Sequence, residues 1–308
     1  MIKVSVCIPS YNSEKYIKQA IQSVFLQNYK DYEIVIVDDG SCDSTQQIIE
    51  NYANNDKRIT FHKNEVNLGI VGNFNKCLEF CRGEFVKFLL ADDVFLSPDC
   101  LGRFVDVLES HPDVSLVSSG RKLIDSNSRG IGEAVCYEEG LYSPGSEIIK
   151  DCLLYLKNRI GEPTSVLFRK ELLSRGFDEN YEQLLDLEMW FYLLEKGDFF
   201  YIKDCLVGFR VHPEQATQKN KQNLTYLNDF CLLLNDYCHK KYIKFSKIKK
   251  KIGLLKHFDK IYKLYKNGKL KFHDMKTLIE GYMPFAVFLF LRPFYKISKN
   301  IIRIKYLR

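Results

Sequence analysis

YEIVIVDDGS, residues 32–41, is an apolar run that ends in two adjacent carboxylates, Asp38 and Asp39, followed by a Gly-Ser turn. A strand covered on both faces reads as such an unbroken apolar stretch. In open α/β sheets the ligand sits beyond the carboxyl ends of the strands. A second stretch, EFVKFLLADD at residues 84–93, repeats the pattern and ends in Asp92 and Asp93. With both strands in one sheet, four carboxylates would project into one crevice. Crowded like charges are costly without a neutralising cation. A divalent ion carrying a diphosphate answers that need, because hard cations take oxygen ligands and share them between carboxylates and phosphates.

Outward from these stretches, strand-like and helix-like segments alternate. KVSVCIPS (3–10) reads as a strand, and Asn12 or Ser13 can cap the helix that follows, where Tyr16, Ile17, Ala20, Ile21, Val24 and Phe25 recur at helical spacing. A helix over STQQIIENYAN (44–54), a strand over RITFHKN (58–64) and a helix over FNKCLEFCRG (74–83) precede the second carboxylate strand; Ser97-Pro98 opens a further helix. Repeated βα units imply a mostly parallel sheet with helices on both faces. After residue 125 the rhythm loosens into loops and edge strands, then resumes with GEPTSVLFRKELL (161–173), a helix around LLDLEMWFYLLEKG (184–197) and a strand over FFYIKDCLVGFRVH (199–212).

The 308 residues are 46% hydrophobic and 27% charged, an ordinary globular balance with room for one large domain and an appendage. The ten cysteines are scattered without a CxxC pair, which predicts reduced cytosolic thiols. Cys77 and Cys81 lie one helical turn apart, and packing accounts for them better than a metal, since no second Cys or His pair accompanies them. The opening MIKVSVCIPSYN enters a strand at once, with no signal-peptide pattern, so no export is expected. The net charge of +6 hides a division: residues 239–308 carry 20 Lys or Arg against 3 Asp or Glu, and residues 1–238 carry 25 against 36.

VSVCIPSYNSEKYI, DYEIVIVDDGSCDST, NLG, GEFVKFLLADDVFLSP, LLDLEMW and FRVH occur in this order over residues 1–215. In that ordered set the chain resembles the family-two inverting glycosyltransferases of GT-A fold that build bacterial surface polysaccharides. The resemblance implies a Rossmann-like, mostly parallel α/β domain over residues 1–215. Residues 216–308 would form a helical, Lys-rich extension. It also implies transfer of a sugar, with inversion, from a UDP-sugar to a lipid-linked oligosaccharide acceptor, assisted by Mn²⁺ or Mg²⁺. A dTDP-sugar presents the same imide edge and stays open as donor.

Position by position, the resemblance puts Asp39 on the uracil ring, where a carboxylate accepts the imide N–H. Asp38 stands beside it in the nucleotide-sugar site, and Pro9, Tyr11 and Asn12 form the opposite wall; Asn12 reads equally as a helix cap. Asp93 becomes the metal ligand, and Asp92 contacts the ribose or assists the metal. Many relatives carry an acid where this chain has Leu90, which puts the strength of metal dependence in doubt. Asp186 takes the place of the catalytic base, with a helix N-cap as its plain alternative. Glu188 points elsewhere, and Trp190 is either core or the floor of the acceptor site. Arg210 and His212, alternating on one strand face, would hold the diphosphate or complete the metal shell, or else form a structural ion pair.

MPFAVFLFL (283–291) is far short of the roughly 20 apolar residues that cross a bilayer. Arg292, Lys296, Lys299, Arg303, Lys305 and Arg308, interleaved with Phe294, Tyr295, Ile297, Ile301, Ile302 and Ile304, resemble an interfacial segment drawn to anionic lipid at the inner face of the cytoplasmic membrane. Nucleic acid is not an expected partner. Two other readings stay open. A nucleotidyltransferase shares the architecture but wants a Gly-rich basic loop where this chain has PSYNSEKY (9–16). A non-catalytic membrane-peripheral protein on the same fold draws on Leu90 and the tail.

Overall fold

The structure is a computed structural model and describes residues 2–155, 157–215, 225–243, 247–280 and 284–293. The chain divides into two compact units. One comprises residues 1–149 and 158–223; the other comprises 150–157 and 224–308.

The first unit is built on one ten-stranded sheet. β1 (Val4–Ser10) and β2 (Tyr32–Asp38) are buried along their whole length, as their apolar runs require of strands covered on both faces. β1 pairs in parallel with β2 and with β4 (Phe85–Phe88), and β2 pairs in parallel with β3 (Ile59–Lys63). The carboxyl ends of these strands therefore share one edge of the sheet. Alternate side chains face opposite layers. On one face Val4, Val6, Ile8, Ile34 and Ile36 join Ile17, Ala20, Ile21 and Val24 of α1 (Ile17–Phe25), Ile49 of α2 (Thr45–Asn55) and Phe104 of α4 (Cys100–Ser110). On the other, Phe88 stacks on Phe74 of α3 (Gly69–Phe80), with centroids 4.9 Å apart, and the Cys7 and Cys81 sulfurs meet at 3.1 Å. All ten cysteines are free thiols.

The other half of the sheet is mixed, where the sequence pattern suggests mostly parallel pairing. β9 (Val166–Arg169) runs antiparallel between β4 and β6 (Val114–Ile124), and β10 (Asp198–Arg210) is parallel to β6 but antiparallel to the two-residue β5 (Val94–Phe95). β7 (Gly130–Ala134) and β8 (Leu141–Ser143) add antiparallel edges to β6 and β10. This reversal brings the end of β10 against the turn that follows β4, which places Arg210 beside Asp93. α5 (Gly145–Tyr155) and α6 (Leu185–Leu194) are the α-helices that follow α4 among the described residues up to 215.

The second unit contains α7 (Thr225–Tyr237), α8 (Lys247–Lys266), α9 (Phe272–Glu280) and a helix over residues 285–293. Leu227, Phe258, Ile261, Met275, Ile279 and Phe288 form its core. Within residues 284–291 Phe288 is fully buried, while Val287, Leu289 and Phe290 are exposed. Arg292 lies over the Tyr262 ring and donates to Asp259 at 2.7 Å, so it serves this core. The remaining basic and apolar tail residues named above, from Phe294 to Arg308, lie outside the described residues. Among the described residues no helix is long and apolar enough to cross a membrane.

Candidate active site

Asp38 ends β2 and is fully buried. Its Oδ1 accepts from the Ser10 and Ser41 hydroxyls at 3.1 and 2.5 Å; its Oδ2 accepts from the Ser41 N–H at 2.9 Å and Gln46 Nε2 at 2.8 Å. A carboxylate offers about four acceptor sites, so Asp38 has none left. It shapes the turn, with both carboxylate oxygens engaged inside the protein.

Asp39 accepts from the backbone N–H of Leu68 at 2.8 Å and of Gly69 at 3.0 Å, and from Asn64 Nδ2 at 2.8 Å. It thereby caps α3 and sets a negative charge at the helix N-terminus, where the dipole favours it. Gly69 enters the helix at φ +75°, a conformation glycine adopts without steric cost. One of the roughly four acceptor sites of Asp39 stays open.

Pro9 lies buried within β1, paired with Val37. Tyr11 is 52% exposed beside it. Asn12 sits at φ +47°, donates its N–H to the Ser41 hydroxyl at 2.8 Å and accepts from the Cys42 N–H at 3.0 Å. Its side chain braces two loops; α1 begins only at Ile17 and has no side-chain cap.

At the second carboxylate pair the two residues diverge. Asp93 is fully buried, accepting from the Thr164 hydroxyl at 2.5 Å and the Arg210 N–H at 2.8 Å. Burial first, and the neighbouring Asp92 carboxylate second, push its carboxyl well above the usual range. Asp92 instead turns toward His212, whose Nε2 lies 2.9 Å from its Oδ2; 21% of the Asp92 side chain is exposed. The buried His212 Nδ1 has no partner among the described residues.

Arg210 is also fully buried. Its guanidinium donates to the Asp92 carbonyl at 2.6 Å, the Asp125 carbonyl at 2.9 Å, the Ser128 hydroxyl at 3.0 Å and Gln19 Oε1 at 2.8 Å, with Tyr16 stacked against it at 4.6 Å. In this arrangement it clamps the Asp92 backbone to the loop at residues 125–128.

Asp186 stands in the first turn of α6 and is 9% exposed. Its Oδ1 accepts from the Leu187 N–H at 2.7 Å and its Oδ2 from Asn158 Nδ2 at 3.1 Å. Burial, then the Glu162 carboxylate, lift its carboxyl to about 7, against the pull of the backbone donors and Arg121. Leu184, not Asp186, occupies the N-cap. Glu188 is buried and paired with Arg175 at 2.5 Å, and Trp190 is a core residue whose Nε1 donates to the Gly161 carbonyl at 2.9 Å.

One segment, residues 158–164, links the last two clusters. Asn158 holds Asp186, Thr164 holds Asp93, and Glu162 acts electrostatically on both carboxyls. Sequence reading passed over Gln19, Arg121, Asn158, Glu162 and Thr164.

Residues 5–177 match the family described as Glycosyl transferase family 2. The chain belongs to glycosyltransferase family 2. An uncharacterized glycosyltransferase of Methanocaldococcus jannaschii is 30% identical over 213 residues, a match covering 68% of this chain and 70% of the relative. The putative teichuronic acid biosynthesis glycosyltransferase TuaG of Bacillus subtilis is 31% identical over 209 residues, covering 68% of this chain and 79% of TuaG. The crystal structure of S. aureus TarS 1-349 in complex with UDP-GlcNAc superposes with a TM-score of 0.66 at 23% identity, covering 90% of this chain and 79% of that one. This last likeness establishes the GT-A fold.

Proposed function

We propose that this glycosyltransferase moves one sugar from a UDP-sugar to a hydroxyl of a lipid-linked oligosaccharide, with inversion, in the assembly of a surface polysaccharide such as O-antigen or capsule. The observation that carries the reading is the segment 158–164, which couples a buried carboxyl poised near neutrality, Asp186, to the Asp92–Asp93 turn. A general base works best when its pKa lies near the working pH. Asp186 takes the proton of the acceptor hydroxyl as that oxygen attacks the anomeric carbon, and the diphosphate departs on the opposite face.

Asp39 keeps one acceptor site for the imide N–H of uracil, and exposed Tyr11 flanks it. The dTDP-sugars share that edge. Mn²⁺ or Mg²⁺ fits at Asp92 and His212: a carboxylate and an imidazole face each other, and a cation would replace their mutual hydrogen bond. Asp93 is the poorer ligand, because both of its oxygens are engaged inside the protein. Among the described residues no third Cys, His, Asp or Glu joins this pair, so phosphate oxygens and water would complete the shell. A metal held there by Asp92 and His212 would offset the charge building on the leaving diphosphate.

Exposed Val287, Leu289 and Phe290, with the strongly basic sequence around them, support docking to anionic lipid at the inner face of the cytoplasmic membrane, where such an acceptor resides. Calorimetry of UDP in the presence of Mn²⁺ tests the donor assignment. Saturable binding at one site is the expected result, and heats no larger than dilution with either metal would remove it.

A further inference from the structure

The assigned base does not stand alone. Asp186 sits against a segment, residues 158–162, trapped between α6 and β6. Asn158 Nδ2 donates both to Asp186 and, at 3.1 Å, to the Gly161 carbonyl, while Asn158 Oδ1 accepts from the N–H groups of Ile160 and Gly161 at 3.0 and 2.9 Å. Trp190, one helical turn beyond Asp186, donates to the same Gly161 carbonyl. From β6, the Ser118 hydroxyl donates to the Ile160 carbonyl at 2.5 Å. Gly161 adopts φ +134°, and a Cβ there would fall 2.1 Å from the Ser165 hydroxyl, so the segment tolerates only glycine at this point.

The next residue, Glu162, meets Arg121 of β6. Arg121 Nη2 donates to Glu162 Oε1 at 3.0 Å, its Nε contacts Oε2, and the arginine side chain is only 9% exposed. A guanidinium kept this far from water on a strand needs its carboxylate, and the carboxylate is held where the segment passes the base.

We propose that the Arg121–Glu162 ion pair is a positioning and tuning element for Asp186: it anchors segment 158–162 against the helix that carries the base and supplies two opposed charges that act on the base carboxyl. The proposal rests on the reading of Asp186 as general base. Neither residue needs to touch substrate. Glu162 raises the proton affinity of Asp186 and Arg121 lowers it, so the two halves of one ion pair have opposite effects. Among the described residues Glu162 and Arg121 are the charged groups with the leading effects on Asp186, and on α6 itself Glu188 pairs with Arg175.

The test is a carboxyl ¹³C NMR titration of the full chain labelled at aspartate, with Asp186 assigned from the resonance missing in Asp186→Asn. It needs no donor, metal or acceptor, so failure of the base assignment in kinetics and failure of this proposal are separable. In the wild type, the Asp186 midpoint is expected at about 7. Glu162→Gln lowers that midpoint by about one unit and Arg121→Met raises it by a similar amount, the size of a neighbouring-charge effect. Arg121→Lys and Glu162→Asp preserve the charges and hold the midpoint near wild type, which keeps the question answerable should Arg121→Met fail to fold. Shifts of the same sign in Glu162→Gln and Arg121→Met, or no shift in Glu162→Gln, would overturn the proposal.

Discussion

Asp38-Asp39 and Asp92-Asp93 lie at the ends of two stretches whose strands, β2 and β4, flank β1 in parallel, yet the four carboxylates serve different ends. In the first pair both acids work inward. Asp38 organises the turn with four neutral donors, and Asp39 caps α3 with two backbone N–H groups. In the second pair the labour is divided. Asp93 anchors the turn to Thr164 and Arg210, whereas Asp92 faces an imidazole near solvent. A carboxylate surrounded by neutral donors shapes backbone. One facing a single imidazole can exchange that partner for a cation. Adjacent acids at a strand end therefore need not act together as a pair of ligands.

A third carboxylate sharpens the contrast, because Asp186 is buried like Asp93 but assigned to chemistry. Asp186→Asn is expected to lower turnover by about 10²–10⁴ while donor affinity holds, the usual cost of removing a general base. In the wild type, the rate should rise with pH through about 7 as the base loses its proton. The same shift carries a stability consequence. Between the unfolded value near 4 and the folded value near 7, the folded state holds a proton that the unfolded chain has released, so this group's contribution to stability falls as pH rises. Thermal melts of Asp186→Asn at pH 8 should therefore show a Tm no lower than wild type. A large drop would make Asp186 a structural acid like Asp93.

The next largest effect belongs to Arg210, which ties the second pair to the sheet. Arg210→Met should cost about 3 kcal/mol in denaturant unfolding, since several buried carbonyls and a glutamine lose a charged donor. Arg210→Lys recovers only part of this, because an ammonium cannot reproduce the planar fork. An unchanged midpoint would return Arg210 to the role of a diphosphate ligand. Asp39→Asn is the smallest of the three, about 1 kcal/mol of stability from the lost charge at the α3 N-terminus. It should weaken UDP binding as well, and intact UDP affinity would leave Asp39 as a cap alone.

The parallel half of the sheet was legible because uninterrupted apolar runs with short helical intervals have few other solutions. The order of motifs marked the family. What stayed hidden has physical causes. Which acid of a pair points inward depends on a change of one residue along the turn, and no composition records it; the burial of Asp93 and the outward turn of Asp92 are visible only in the fold. The antiparallel insertion of β9 could not be seen in the short run VLFR, which fits either direction. Arg210 looked like an anion binder because arginine usually is one; only the packed loop at 125–128 reveals that its donors are spent. Glu162 and Arg121 are 41 residues apart, and their pairing exists only once β6 and the segment before β9 are side by side.

The division within the second pair is tested most directly by electron paramagnetic resonance titration of Mn²⁺ in the presence of UDP, comparing wild type, Asp92→Asn and Asp93→Asn. Wild type and Asp93→Asn should bind the ion alike, and Asp92→Asn should lose at least about tenfold in affinity, since even outer partners of a metal site are worth that much. Retained binding in Asp92→Asn together with its loss in a folded Asp93→Asn would contradict the account and return the metal to Asp93.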